Sequence, residues 1–135
     1  MVARRSLIAT SLAGAAALLE GCATAKSQSS ASSSGKVKLT ILHHTPKDPT
    51  AFDKYYDQTH LPLAAAVKDL PAMERSKPMP LRPGAPMPYY QVVEFRFDSP
   101  EHFRSVMSSP EWAKVGDDVK NFATNGITVV ASRIF

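Results

Sequence analysis

What most constrains the fold of this chain is a hydrophobic period that changes in a fixed order through residues 36–135. Residues 37–43 alternate in polarity and carry β-branched side chains, which predicts a strand. Asp48 and Pro49 then open a helix, with Asp48 as its cap and Phe52, Tyr55, Tyr56, Thr59, His60 and Leu63 recurring at helical spacing. Residues 70–77 form a weaker strand pattern and residues 89–97 a strong one. Ser99-Pro100 and Ser109-Pro110 each supply a capping side chain and a first-turn proline, so the second helical region divides into two pieces. Asn125-Gly126 marks a turn before a last strand over residues 127–135. The resulting order predicts an α+β, ferredoxin-like βαββαβ domain: a four-stranded antiparallel sheet with its helices on one face.

Such a sheet has a second face that the helices do not cover. In residues 89–97, Val93, Phe95 and Phe97 share one side, assigned to the helices, while Tyr90, Val92, Glu94 and Arg96 share the other. Apolar residues on both sides predict a second copy of the chain as cover, and two sheets facing each other enclose a lumen for a small molecule. A monomer with a wetted sheet face is the alternative.

The first helix contains the most suggestive chemistry. Pro62 lacks an amide hydrogen and its ring crowds the carbonyl four residues back. It also disfavours helical geometry at Leu61, so a break is expected close to His60, with one further turn over residues 64–68. A histidine at such an end is either a cation bonded to the last free carbonyls or a side chain aimed into a pocket. Tyr56 lies four residues earlier on the same face, placed to orient His60 or to donate a proton, although as a core aromatic it needs no such role. Glu94, facing an apolar lumen, would have its neutral form favoured, unless Arg75, Arg96 or a cation of a second copy pairs with it.

His60, Tyr56 and Glu94 are thus the candidate catalytic residues, and Tyr90, Val92 and His44 the candidate ligand contacts at the lumen. His43 and His44 point to opposite faces of their strand, and no histidine pair has metal-ligand helical spacing, so no metal site is expected. No phosphate-cradling loop, dinucleotide fingerprint or serine-nucleophile motif is present, and no cofactor is expected. Basic residues are scattered without a run that follows a phosphate backbone, which argues against a nucleic-acid partner.

The first 21 residues read differently. Arg4 and Arg5 precede a short, mostly apolar run, the pattern of an export signal, and they resemble the start of a twin-arginine signal. The chain's single cysteine, Cys22, follows Leu19-Glu20-Gly21 and resembles the lipid-modified cysteine of bacterial lipoproteins, with Glu20 departing from the usual small or aliphatic residue. A serine-rich stretch completes a tether over residues 22–35. The expected organisation is a signal peptide (1–21), a lipid-anchored tether (22–35) and one domain (36–135), held at the periplasmic side of a bacterial membrane. Between the middle strands, residues 78–88 contain five prolines and form a stiff connector, placed to cover a pocket mouth or to reach a second copy.

Phe52-Asp-x-Tyr-Tyr-x-x-x-His-Leu-Pro-Leu63, followed by Val92-Val-Glu-Phe-Arg-Phe-Asp-Ser99, resembles the EthD family of dimeric α+β barrel proteins. The resemblance implies a homodimer and a small hydrophobic or aromatic ligand. It carries the family label of oxidoreductase or reductase without an established reaction. Related barrels include muconolactone isomerases, cofactor-free oxygenases and haem-dependent enzymes. Two functions follow: an exported enzyme performing proton transfer or cofactor-independent oxidation, or a tethered module that binds a small ligand without changing it.

Overall fold

The computed structural model describes residues 35–135, so the predicted signal peptide, Cys22 and nearly all of the tether lie outside the described residues. The elements follow the order read from the hydrophobic period. Strand β1 (Lys36–His44) leads into helix α1 (Pro49–Tyr55), a π-helical turn (Tyr56–His60) and helix α2 (Leu61–Ala65). Strands β2 (Met73–Ser76) and β3 (Tyr89–Phe97) come next, then helices α3 (Pro100–Met107) and α4 (Pro110–Asp118). A 3-10 turn (Val119–Asn121) precedes strand β4 (Ile127–Ile134). The sheet order is β2-β3-β1-β4, with every pairing antiparallel. The domain is α+β and ferredoxin-like.

Local chemistry explains the helix starts. Asp48 Oδ1 accepts a hydrogen bond from the Ala51 amide at 2.9 Å. Ser99 Oγ accepts from His102 N at 3.1 Å and Ser109 Oγ from Trp112 N at 3.2 Å, each capping side chain satisfying an amide that has no partner within its helix. A proline follows each cap, where its missing N–H is not needed.

The register between β1 and β3 brings like faces together. Val37, Leu39, Ile41 and His43 lie opposite Phe97, Phe95, Val93 and Gln91 in turn. Of these, Val37, Leu39, Val93, Phe95 and Phe97 are buried, and they join Phe52, Tyr56, Val106, Val115 and Phe122 in one core between sheet and helices. At about 25 cal/mol per Å² of apolar surface, burial of this set is the main favourable term for the fold. The other face of the sheet presents Lys38, Thr40, Leu42, Val92 and Glu94, all half-buried.

The expected helix break at Pro62 does not occur. Leu61 keeps helical geometry, with φ −59° and ψ −45°, and its amide donates to the carbonyl of Tyr56, five residues back. The π-helical turn widens the helix ahead of the proline, so the ring meets no carbonyl at α-helical spacing and its missing donor breaks no bond. His60 is therefore an interior residue of a continuous helical segment, and the reading as a cation on free terminal carbonyls falls. The second strand is also shorter than expected, because Leu70 and Pro71 belong to the approach to β2.

Candidate functional site

Between the sheet and the helices lies a cavity of about 170 Å³, close to the size that admits one aromatic ring. Its walls are mostly aliphatic and aromatic: Leu39, Ile41, Val93 and Phe95 come from the sheet, Trp112 and Val115 from α4. Besides Trp112 with its indole N–H, the polar side chains that line it are His43, Tyr56 and His60. The cavity is within one protomer, on the helix-covered face. The helix that bears His60 packs on this face, so His60 and Tyr56 line this cavity and not the open face of the sheet.

The π-helical turn begins at Tyr56 and ends at His60 and buries both. His60 Nδ1 donates to Asp118 Oδ2 at 2.9 Å, with both side chains buried. Asp118 Oδ1 accepts from the Tyr55 hydroxyl at 2.8 Å and from Asn121 Nδ2 at 2.9 Å. Burial pushes the Asp118 carboxyl upward, but the hydrogen bonds from Asn121, His60 and Tyr55 outweigh it and hold the group below its ordinary value. Burial lowers the pKa of His60, against the opposing pull of Asp118. The imidazole is thus neutral near pH 7, with its proton fixed on Nδ1 by a carboxylate, which leaves Nε2 as the free acceptor of a ring that lines the cavity. That is the arrangement of an oriented proton acceptor.

Two further groups share this end of the cavity. Tyr56 lies 5.0 Å from the His60 ring and 5.6 Å from the His43 ring, centroid to centroid. Its hydroxyl meets only the Met73 sulfur, at 3.8 Å, a weak acceptor. Burial raises its pKa to about 12, so the phenol stays protonated and remains a donor. His43 is 2% exposed. Burial, followed by the proximity of His60, lowers its pKa to about 4. Its Nδ1 makes no well-formed hydrogen bond, with only the Gln91 backbone carbonyl near the ring, and the side-chain amide of Gln91 on the neighbouring strand has no partner in the protein.

The remaining predicted residues lie elsewhere. Glu94 is on the open face, bonded to Lys38 Nζ at 3.0 Å and Thr40 Oγ1 at 3.1 Å. The Lys38 bond is the main reason its carboxyl sits below the ordinary value, so of the two readings of Glu94 the paired carboxylate is the one present. Its cation is Lys38, while Arg75 pairs with Asp57 and Arg96 lies near Glu74. Val92 faces the same open side. His44 Nε2 bonds Thr128 Oγ1 at 3.0 Å, away from the cavity. Tyr90 was expected beside Val92, but the register shifts between His43 and His44, leaving Tyr90 out of alternation. Its hydroxyl donates to Asp53 Oδ2 of α1 at 2.7 Å and its ring packs against Phe52.

The sequence reading missed Asp118 altogether. Its signal was an acid three residues after Val115, on the edge of the stripe formed by Trp112, Val115, Val119 and Phe122. Among the described residues no group of three or more His, Cys, Asp or Glu side chains is placed to hold a metal ion.

The EthD domain matches residues 44–126, which include Tyr56, His60, Glu94 and Asp118. The chain belongs to the EthD family. A 31% identical relative from Rhodococcus erythropolis, described as an uncharacterized 11.0 kDa protein in the thcB-thcC intergenic region, aligns over 93 residues, 69% of this chain and 89% of that one. An EthD family protein of Bacillus halodurans has a crystal structure that superposes with a TM-score of 0.66 at 28% identity, over 74% of this chain and 99% of that one. A dimeric ferredoxin-like protein from Thermobifida fusca shares the fold, with a TM-score of 0.55 at 14% identity over 76% and 93% of the two chains. In this EthD protein the family's residue range therefore contains the whole His60-Asp118 pair.

Proposed function

We propose that this EthD protein is an enzyme that moves a proton on a small hydrophobic or aromatic molecule held in the cavity, with His60 Nε2 as the group that takes and returns it. The observation that carries this reading is the buried hydrogen bond from His60 Nδ1 to Asp118, made by a histidine that lines an apolar cavity and keeps its second ring nitrogen free. As Nε2 accepts a proton the imidazole becomes cationic, and Asp118 stabilises that charge at 2.9 Å in surroundings of low dielectric. The protonated Tyr56 hydroxyl is a donor for an oxygen on which charge develops. Asp118, with Tyr55 and Asn121 bonded to it, is a positioning residue that fixes the His60 tautomer.

The functional unit in this proposal is a homodimer formed through the open sheet face, supported by Val130, 46% exposed, beside the half-buried Leu42 and Val92. The Thermobifida fusca protein of the same fold is described as dimeric. Export and a lipid anchor at Cys22 complete the proposal, on the leader pattern alone. Mass spectrometry of the mature N-terminus tests it, and a mature chain that begins downstream of Cys22 sinks the anchor.

Deuterium exchange into 2-indanone, a small enolisable ketone, tests the chemistry directly. Proton NMR of the full chain in D2O should show exchange above the buffer rate, falling at least about 100-fold in His60→Gln while circular dichroism stays unchanged. Equal rates for the wild type and folded His60→Gln would remove the catalytic reading and leave a binding module.

A further inference from the structure

The cavity has a polar group that the proton-transfer reading does not use. His43 borders it from β1, and Gln91 lies directly opposite on β3, on the same helix-covered face. His43 is 2% exposed and Gln91 0%, yet both side-chain polar atoms of Gln91 have no partner in the protein and His43 Nδ1 makes no well-formed hydrogen bond, with only the Gln91 backbone carbonyl near the ring. A buried donor or acceptor left unpaired has given up its water without recovering a hydrogen bond, which destabilises the fold. Three such atoms on one cross-strand pair, amid a core of Phe52, Tyr56, Val93 and Phe122, cost more than a packing role returns, since an aliphatic pair of similar size fills the same space.

The position of the pair points to a ligand. The His43 ring meets Tyr56 and Phe122, at 5.6 and 5.8 Å, and the His60 ring meets the same two residues, at 5.0 and 4.6 Å. Both imidazoles thus stand on one wall of the cavity, with Tyr56 between them. Turning the His43 ring about its Cβ–Cγ bond exchanges Nδ1 with a carbon, so the ring can present nitrogen to the cavity without moving the backbone.

We propose that His43, backed by Gln91, is a second polar station that recognises an oxygen of the ligand. The substrate class is then an uncharged, mostly apolar molecule of about one ring carrying two oxygen functions, one at His60 and Tyr56 and the other at His43. A single-oxygen compound leaves His43 unpaired, and an anion meets no cationic side chain on the cavity wall. This inference rests on the proton-transfer reading of the cavity, but it fails separately from it.

The test is binding of three probes, toluene, phenol and resorcinol, followed by NMR on the full chain with 15N-labelled histidine. In the wild type, resorcinol should bind about tenfold more tightly than phenol, with the His43 nitrogens shifting for resorcinol only. In His43→Leu that tenfold preference should vanish, and Gln91→Met should reduce the preference. A His43→Leu chain that keeps the preference, or wild-type resorcinol binding without movement of the His43 signals, overturns the proposal. If His43→Leu fails to fold, the wild-type His43 shifts alone decide. Phenol binding unchanged in His60→Gln, with the His43 shifts for resorcinol retained, would count against the His60 reading and for the second station. No binding of any probe to the wild type overturns both.

Discussion

On the helix-covered face of the sheet, His43 and His60 are buried among aromatic rings and are held neutral. On the open face Glu94 is a carboxylate with a lysine at 3.0 Å and a hydroxyl at 3.1 Å. The strands are shared, since Thr40 and Glu94 are a register pair beside Ile41 and Val93, and only the direction of the side chain differs. Removal from water disfavours a charge, so the covered face keeps uncharged donors and acceptors poised at a cavity. The wetted face lets an ion pair form, which fixes one protonation state. In the proposed function the covered face is the place for chemistry and the open face the place for association.

Truncation on each face gives the largest contrast. The Phe52 ring lies 5.2 to 5.7 Å from those of His43, Tyr56, Tyr90 and Phe122. Phe52→Ala is expected to cost about 3–5 kcal/mol in urea denaturation, the range for a large aromatic lost from a packed core. Val92→Ala on the open face should cost less than about 1 kcal/mol in a monomer. If its cost instead approaches that of Phe52→Ala and depends on protein concentration, a second copy covers the face.

Acidification separates the faces next, in size and in window. The pKa of His43 is about 4 in the folded chain against an ordinary 6.5, so between these values the unfolded state binds the extra proton. Its contribution is fully present above pH 6.5, declines as pH falls and is gone below about 4. The full contribution is about 3 kcal/mol at 1.36 kcal/mol per pKa unit, and His60, shifted the same way, adds to it. Urea midpoints between pH 7.5 and 4.5 should fall steadily in the wild type and less steeply in His43→Leu. Glu94, also lowered, loses its contribution only as pH drops through the carboxylate range. An unchanged slope in His43→Leu would mean that the ring is not desolvated as its burial implies.

These contrasts bear on what a sequence can disclose. Element order and the direction of Val93, Phe95 and Phe97 were legible because period depends only on near neighbours. The partner of His60 was not, since Asp118 lies 58 positions away and meets it only through the packing of α4 against α2 and the π-helical turn. A similar separation hid Lys38 from Glu94, because strand register is set by the whole sheet. Pro62 misled for a different reason: its clash is defined for α-helical spacing, and a bond to the carbonyl five residues back removes the premise. Tyr90 departed from alternation at a single register shift, a feature with no residue signature of its own in this strand.

The smallest effect is the most discriminating between the faces. Lys38→Ala removes the cation from Glu94, and because the Lys38 side chain is 33% exposed, the pair contributes about 0–1 kcal/mol. Glu94→Gln should likewise leave the urea midpoint nearly unchanged and keep its hydrogen bond with Thr40. Neither change should alter 2-indanone exchange or phenol affinity, since the sheet separates Glu94 from the cavity. A drop in exchange of tenfold or more in Glu94→Gln, with the stability held, would place a carboxylate of the open face within the reaction. The two faces would then be one site completed across a dimer, and the division drawn between them would fail.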